Sequence, residues 1–416
     1  MAEEKELDHS IWLIVGGASA VAFYMAWSIG ANDVANSMAT AVGARAITFR
    51  QAVFIAGILN LIGAVFVGSH VTDTVRKGIV NVTGINPESL LLGFIASLLA
   101  AAIWVTISTW KEMPISTTHS VIGALMGFGI IAGGLSTVKW STVTAVVSSW
   151  VLSPIVGCIL AFFVFRVIVK LIFATENPVR SARIVGPVII GFTAMLITSS
   201  LFLKTPLSSK LGLSEEDGVL IAGVVAVIVG ALGILLLRRV KSKPGEEYKT
   251  VEGIFRKLQI VTSCYVAFAH GANDVANAIG PVASIIPLAQ GIPVGSTVEV
   301  PISLLALGGF GIAVGCMTWG QRVMRTVGGR ITSLTNTRGF SVDFGAATTV
   351  LVASKLGMPI STSHTVVGAV IGVGLARGLE AIDLSIIKKI VVSWLLTLPI
   401  AAGTSIVIFI ILQAIV

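Results

Sequence analysis

The heptapeptide Gly-Ala-Asn-Asp-Val-Ala-Asn occurs twice in this chain, at residues 30–36 and again, unchanged, at residues 271–277. A second motif follows each copy: Met-Pro-Ile-Ser-Thr-Thr-His at residues 113–119 returns as Met-Pro-Ile-Ser-Thr-Ser-His at residues 358–364. A Ser-Trp pair at residues 149–150 is then matched by one at 393–394. Paired features in one order indicate that a single unit was duplicated, so the fold must accommodate two similar halves.

The composition places both halves in a membrane. Of 416 residues, 55% are hydrophobic and 12% are charged. This is about half the charge content of an average soluble domain, so polar groups cannot cover a globular surface. Apolar runs of bilayer length recur along the chain, and we predict an all-α integral membrane protein with about 10–12 transmembrane elements. We expect two inverted-topology repeats with interrupted helices and re-entrant hairpins.

The basic residues predict the orientation. They are concentrated in a few loops, most strongly over residues 238–257, which we therefore expect to be cytoplasmic. Counting spans outward from this loop places the acidic N-terminus outside and puts the two heptapeptides after spans of opposite direction. The N-terminus lacks the basic region of a cleavable signal peptide, so the first span is expected to be retained. Topology thus accounts for the net charge of +8, and no nucleic-acid partner is predicted.

The repeat also predicts the division of the chain. The first repeat is expected over residues 1–180, connecting spans and the short basic loop over 181–254, and the second, inverted repeat over 255–416. The cysteines Cys158, Cys264 and Cys316 lack metal-binding or redox spacing, so we assign them to packing.

Each heptapeptide can present polar side chains on one helical face inside the membrane, where an ionisable residue is costly and is by default functional. Carboxylate and amide oxygens suit a hard cation, so Na⁺ held through Asp33 and Asp274 is the leading interpretation. Gly30 and Gly271 are expected to break the helix and free backbone carbonyls. The alternative is a packing motif in which Gly and Ala permit close helix approach. The candidate cation ligands are Asn32, Asp33, Asn36, Asn273, Asp274 and Asn277.

The second motif predicts a helix start, because proline favours the first turn and Ser and Thr suit the positions where backbone N–H groups are unpaired. A buried helix start attracts anions through those N–H groups and the helix dipole. The alternative is an ordinary proline-containing turn between spans. Neither motif contains Lys or Arg, so the charge of a bound oxyanion would be balanced by cations. The candidate oxyanion ligands are Ser116, Thr117, Thr118, Ser361, Thr362 and Ser363, together with Asn36 and Asn277.

The duplicated histidines His119 and His364 have three open interpretations. They can bind the substrate, carry protons, or satisfy a hydroxyl group in the core. Duplication makes a functional role as plausible as a structural one.

In these motifs the sequence resembles the inorganic phosphate transporter (PiT) family, whose hallmark is the twin heptapeptide in opposed halves. The resemblance covers essentially the whole chain and implies symport of inorganic phosphate with Na⁺, or in some relatives with H⁺ or as a metal-phosphate complex. It matches Asp33 and Asp274 to the family's essential aspartates, the motif asparagines to its signature, and the Ser and Thr residues to its substrate region. The short central loop indicates a compact prokaryotic member in the cytoplasmic membrane, with no cofactor beyond Na⁺ as the coupling ion.

Three other functions compete with cation-coupled symport by alternating access. A passive channel fits less well, because an Asp in each half would favour cations over anions. An intramembrane hydrolase could draw on Ser, His and Asp, but every candidate occurs twice, which suits a symmetric binding site better than a catalytic triad. Another tetrahedral oxyanion, such as sulfate or arsenate, stays open, although an acceptor-rich site favours the P–OH group of phosphate. The coupling ion and the oligomeric state, a homodimer included, also stay open.

Overall fold

The computed structural model describes residues 2–68, 80–81, 84–204, 211–289, 300–355 and 360–415, with side chains from residue 14 onward except at 204, 289, 354 and 355. Met358 and Pro359 of the second motif, and the acidic side chains before residue 10, lie outside the described part. The α-helices are α1 (Ala2–Gly43), α2 (Phe49–Val67), α3 (Pro87–Trp110), α4 (Thr117–Gly133), α5 (Trp140–Ile168), α6 (Pro178–Lys204), α7 (Glu215–Arg238), α8 (Glu247–Ala289), α9 (Ile302–Trp319), α10 (Gln321–Arg325), α11 (Asn336–Lys355), α12 (Thr362–Leu375) and α13 (Leu384–Ile415).

The all-α membrane class is confirmed. Over the described residues, 8 helices are long and apolar enough to cross a bilayer, and α4 and α12 are shorter apolar helices. The sequence-based count was larger because it also included the short helices α4 and α12 and segments of α8 and α11. Helices α8 and α11 are long enough, but they carry polar residues that include Asp274 and Asp343, both of them buried.

The repeated second motif does begin a helix in each half. Ser116 caps α4 by accepting a hydrogen bond from the backbone N–H of His119 (3.2 Å), and Ser361 caps α12 by accepting one from His364 (3.3 Å). Hydroxyl side chains at such positions satisfy N–H groups that have no partner within the helix. Pro114 lies two residues before the cap, so the prediction that proline occupies the first turn was wrong for the first copy.

The helices of the two halves are interleaved. Helix α1 packs along α9, whereas α8 packs along α2. Likewise α4 packs against α13 and α12 against α5. The indole Nε1 of Trp394 on α13 donates a hydrogen bond of 2.9 Å to the carbonyl oxygen of Pro114, just before α4. Helices from one end of the sequence therefore find their main partners at the other end.

The two heptapeptide helices are continuous, so the expected break at Gly30 and Gly271 was wrong. Helix α1 runs unbroken from Ala2 to Gly43, and α8 from Glu247 to Ala289. The glycines instead permit close helix contact. A Cβ on Gly30 would overlap the backbone of Ile312 on α9, and one on Gly271 would overlap the backbone of Asn60 on α2. The packing interpretation therefore accounts for these glycines, while the polar residues beside them need another explanation.

Helices α6 and α7 form a hairpin of their own. They pack mainly against each other, and the side of α7 away from α6 exposes Leu220, Val227 and Leu236. Such an apolar surface is what a lipid-facing helix presents. The larger core cluster lies instead among α1, α2, α3, α4 and the helices of the second half that contact them.

Candidate functional site

The centre of the site is a buried pair of carboxylates contributed by the two heptapeptide helices. Asp33 on α1 and Asp274 on α8 are each 3% exposed, and His270 lies on α8 one turn before Asp274. Each of these three residues has one nitrogen or oxygen atom able to bind a metal ion, and these three atoms lie within 4.8 Å of one another. Nδ1 of His270 is in contact with Oδ2 of Asp274. Two anionic groups this close, with little water to screen them, repel each other strongly unless a cation lies nearby.

Asp33 is held by side chains from both hairpin motifs. The hydroxyl of Thr117 donates to Oδ2 of Asp33 (2.7 Å), and that of Ser363 donates to Oδ1 (3.3 Å). The amide of Asn36 also donates to Oδ1 (3.0 Å), as expected for residues one helical turn apart. The starts of α4 and α12 thus meet at one carboxylate, although they are separated by more than half of the chain.

The last asparagine of each heptapeptide contacts the hairpin motif of the other half. Nδ2 of Asn36 donates to the hydroxyl of Ser363 (2.8 Å). Nδ2 of Asn277 donates to the hydroxyl of Thr118 (3.0 Å). This reciprocal arrangement leaves the carbonyl oxygens of both amides as further acceptors, and it surrounds the carboxylates with hydroxyl and amide groups.

The two capped helix starts are the candidate oxyanion cradle. Helices α4 and α12 begin beside Asp33, and their first backbone N–H groups carry the positive end of the helix dipole. Thr117, Thr118 and Ser363 belong to these first turns and take part in the network above. Thr362 lies in the same turn of α12 and is half-buried. A tetrahedral anion bound there would lie between hydroxyl groups on one side and carboxylates that can bind a cation on the other.

The first asparagines of the heptapeptides are placed differently from each other. Asn32 is buried and turns toward the loop after α3. It donates to Oγ1 of Thr109 (2.8 Å) and to the carbonyl oxygen of Met113 (3.1 Å), and it accepts from the N–H of Ile115 (3.2 Å). Asn273, its partner in the repeat, is exposed. Neither residue contacts the Asp33 network in this conformation, so their assignment as cation ligands stays a prediction.

The histidines of the second motif lie beside this network, in an aromatic cluster. His119 and His364 meet edge to face with ring centroids 5.1 Å apart. His364 stacks on Trp394 (3.8 Å), and His119 lies near Trp150 (5.7 Å). Both ring nitrogens of His364 are buried without a hydrogen-bond partner in the described part of the chain. The cluster accounts for a packing role, while a role in binding or proton transfer stays a prediction.

Sequence reasoning missed two residues. His270 directly precedes the second heptapeptide, whereas Ile29 occupies the matching position before the first. The duplication therefore did not indicate His270 as a site residue. Asp343 on α11 is 3% exposed and accepts hydrogen bonds from Thr40 (2.7 Å), Ser263 (2.8 Å) and Thr262 (3.3 Å). Asp343 is the single charged residue in the apolar run 340–353, which the sequence predicts to be a membrane span. A lone charge in a predicted span indicates a functional residue, so this signal was available in the sequence.

Apart from His270, which contacts Asp274, the carboxylates of the site have no basic partner among the described residues. Neither Asp33, Asp274 nor Asp343 forms an ion pair with a Lys or Arg side chain there. Arginine and lysine in this part of the chain lie mostly at helix ends and in loops. A mobile cation is therefore the natural source of positive charge for the site.

Comparison with known proteins places the chain among membrane transporters. The model of the phosphate transporter family matches residues 29–405. A protein of Thermococcus kodakarensis, provisionally named as a phosphate permease, is 52% identical over 97% of this chain and 98% of its own. The chloroplastic inorganic phosphate transporter 2-1 of Arabidopsis thaliana is 41% identical over 92% of this chain and 70% of its own. A solved structure titled "The sodium-dependent phosphate transporter" superposes with a TM-score of 0.87 at 45% identity, covering 97% of this chain and 100% of the other.

Proposed function

The chain belongs to the phosphate transporter family, and from that premise we propose that it carries inorganic phosphate across the membrane together with Na⁺. The observation that carries this proposal is the meeting of both hairpin helices at Asp33, beside Asp274. Anion-binding helix starts and cation-binding carboxylates then share one small volume. Coupling follows, because each ion lowers the electrostatic cost of binding the other.

Phosphate is assigned to the starts of α4 and α12. Their backbone N–H groups and the hydroxyls of Ser116, Thr117, Thr118, Ser361, Thr362 and Ser363 are the assigned ligands, and Asn36 and Asn277 extend the cradle. Thr117 and Ser363 each have one hydroxyl proton, so either releases Asp33 when it donates to the anion. The nearby carboxylates and amide oxygens can accept the P–OH proton of hydrogen phosphate, which fully ionised sulfate lacks. This difference favours phosphate over sulfate. Counterflow with sulfate or arsenate in place of phosphate measures that selectivity.

Na⁺ is assigned to the oxygens around Asp33 and Asp274. Asp343 is a third buried carboxylate, and its contacts with Thr40 on α1 and with Thr262 and Ser263 on α8 tie it to both heptapeptide helices. We assign to it a further cation position. Oxygen ligands and buried negative charge without Lys or Arg are the conditions that favour a hard cation.

Alternating access is proposed to arise from two inverted repeats, over residues 1–180 and 255–416, joined by 181–254. The exchange of helix partners between the halves supports this division, since α1 packs with α9 and α8 with α2. In such folds the substrate lies near the membrane midplane where the repeats meet. On this proposal α3–α4 and α11–α12 are re-entrant hairpins, the N-terminus lies outside, and loop 238–257 is cytoplasmic.

A proton-coupled version is kept as the second candidate because of one observation, the contact between His270 and Asp274. Uptake of labelled phosphate into proteoliposomes separates the two versions. An inward Na⁺ gradient at equal internal and external pH should drive accumulation above equilibrium, while a pH gradient without Na⁺ should not. Flux that never concentrates phosphate under either gradient would instead indicate a passive channel.

A further inference from the structure

The segment at the end of the first hairpin, here called the first tip, comprises residues 110–116, from the last residue of α3 to the residue before α4. Its inner side is fastened by Asn32, whose side chain makes one hydrogen bond with Met113, one with Ile115 and one with Thr109 at the end of α3. These bonds use both amide hydrogens and the carbonyl oxygen of Asn32. The first tip leads directly into the capped start of α4, so its position determines where the candidate phosphate ligands lie.

The outer side of the first tip is fastened by α10 and the helical turn that follows it. Arg330 forms an ion pair with Glu112, and the two side chains are 47% and 25% exposed. Oγ1 of Thr326 donates to the carbonyl oxygen of Glu112 (2.8 Å), and Nη1 of Arg322 donates to that of Trp110 (3.3 Å). Three side chains from a segment more than 200 residues away thus hold the same short loop.

Both sets of contacts that hold the first tip connect it to α1. Asn32 belongs to α1, and the turn with Arg330 is pressed against the end of the same helix. A Cβ on Gly328 would overlap the carbonyl group of Ala39, and one on Gly43 would overlap the backbone of Gly328. Backbones this close move as one packed body. The first tip must therefore separate from α1 at two points if the first hairpin is to move relative to it.

The conformation of Glu112 indicates why an acidic residue is found there. Its φ is +60°, in the left-handed region, directly after α3. Helices commonly end with such a residue, and it is usually glycine because a side chain is strained in this conformation. Here the position is occupied by a glutamate whose carboxylate reaches Arg330. The backbone alone would favour glycine, and the ion pair with Arg330 is the contact that the side chain adds at this position.

We infer that the first tip is a gate of the transport cycle and that the pair Glu112–Arg330 is its releasable latch. This rests on the proposed function, since a gate serves a cycle in which phosphate leaves the site past the tip. The buried bonds of Asn32 set the closed geometry, and the half-exposed ion pair adds a weak contact that water can replace. Exposed ion pairs contribute little to stability, which suits a contact that breaks in every cycle.

Hydrogen exchange of backbone amides tests the latch without relying on transport. Arg330→Gln is compared with Arg325→Gln, which removes a charge from an exposed position of the same segment. Loss of the ion pair should speed exchange in residues 110–116 about twofold to fivefold, the change expected for an exposed pair. The Arg325 variant and the segment 271–277 should exchange as in the parent. Equal tip exchange in the Arg330 and Arg325 variants would overturn the latch.

A reversible cross-link tests the gate. Glu112→Cys and Thr326→Cys are introduced after Cys158, Cys264 and Cys316 have been replaced by alanine, and a short thiol cross-linker is used that a reductant cleaves. Cross-linked protein in proteoliposomes should lose phosphate exchange, and reductant should restore it in the same molecules, which excludes misfolding. Unchanged exchange in fully cross-linked protein would overturn the gate. A native chain that carries no phosphate would instead contradict the proposed function, and hydrogen exchange would still test the latch.

Discussion

The hydroxyl of Thr117 donates a hydrogen bond of 2.7 Å to Oδ2 of Asp33, which joins the first turn of α4 to the C-terminal part of α1. Ser363, in the first turn of α12, donates to the other carboxylate oxygen. A single buried carboxylate therefore connects the two helix starts assigned to phosphate. A cation that binds next to Asp33 therefore changes the electrostatic potential at both helix starts.

Replacing Thr117 by valine should weaken Na⁺ binding, because Asp33 loses a charge-assisted hydrogen bond that orients it. Such bonds contribute about 1.5–3 kcal/mol, so we expect the apparent Na⁺ affinity of phosphate uptake to fall at least about tenfold. Thr117→Ser keeps the hydroxyl and is the matched control, which should retain most of the affinity. Equal Na⁺ dependence in the valine and serine variants would show that this hydroxyl does not act through Asp33.

Asp343→Asn should lower the apparent Na⁺ affinity without changing the KM for phosphate at saturating Na⁺. The carboxylate lies among Thr40, Thr262 and Ser263 rather than at the helix starts. Its charge should therefore affect the binding of Na⁺ and not the binding of phosphate. Thr40→Ser preserves the donor to Asp343 and serves as the control. The Na⁺ and phosphate dependences of initial uptake rates separate the two effects. A raised phosphate KM with unchanged Na⁺ dependence would remove Asp343 from the cation path.

Gly30→Ala should destabilise the protein, because the added methyl group overlaps the backbone of Ile312 on α9. Overpacking of this kind costs about 1–3 kcal/mol. Gly403→Ala on α13 is the matched control, since a Cβ there meets no atom within 4 Å. Thermal unfolding in detergent should show a lower midpoint for the Gly30 variant and no loss for the Gly403 variant. Equal midpoints would mean that α1 and α9 can separate at no cost.

Trp394→Phe should cost more stability than Trp150→Phe. The Trp394 indole donates to the carbonyl oxygen of Pro114 (2.9 Å), whereas Nε1 of Trp150 is buried with no partner in the described part of the chain. Loss of the Trp394 bond removes about 1 kcal/mol and leaves a buried carbonyl unpaired. Thermal unfolding of both variants supplies the comparison. A larger loss in the Trp150 variant would contradict this difference in bonding.

Local chemistry made much of the site predictable. The Ser-Thr start of each hairpin helix followed from capping preferences, which depend on neighbouring residues alone. The pairing of Asp33 with Asn36 followed from helical spacing. Duplication then indicated that both copies belong to one site. These inferences needed no knowledge of which helices touch.

Tertiary contacts explain what the sequence could not show. Gly30 was expected to break a helix, but its role depends on the close approach of α9, almost 300 residues away. Asp343 lay within an apolar run, and its importance depends on hydroxyls from α1 and α8 that surround it only after folding. His270 has no counterpart in the first half, so the repeat could not reveal it. Asn32 and Asn273 are identical in sequence context, yet one is buried and the other exposed.

The most direct test of the central claim is the Na⁺ dependence of phosphate uptake into proteoliposomes at constant pH, with the parent compared with Asp33→Asn. In the parent, we predict saturable uptake that rises with external Na⁺ and concentrates phosphate inside. In the variant, which keeps the size of the side chain but removes its charge, accumulation should be lost. Accumulation that ignores Na⁺ in the parent, or that persists unchanged in Asp33→Asn, would contradict Na⁺ coupling through this carboxylate.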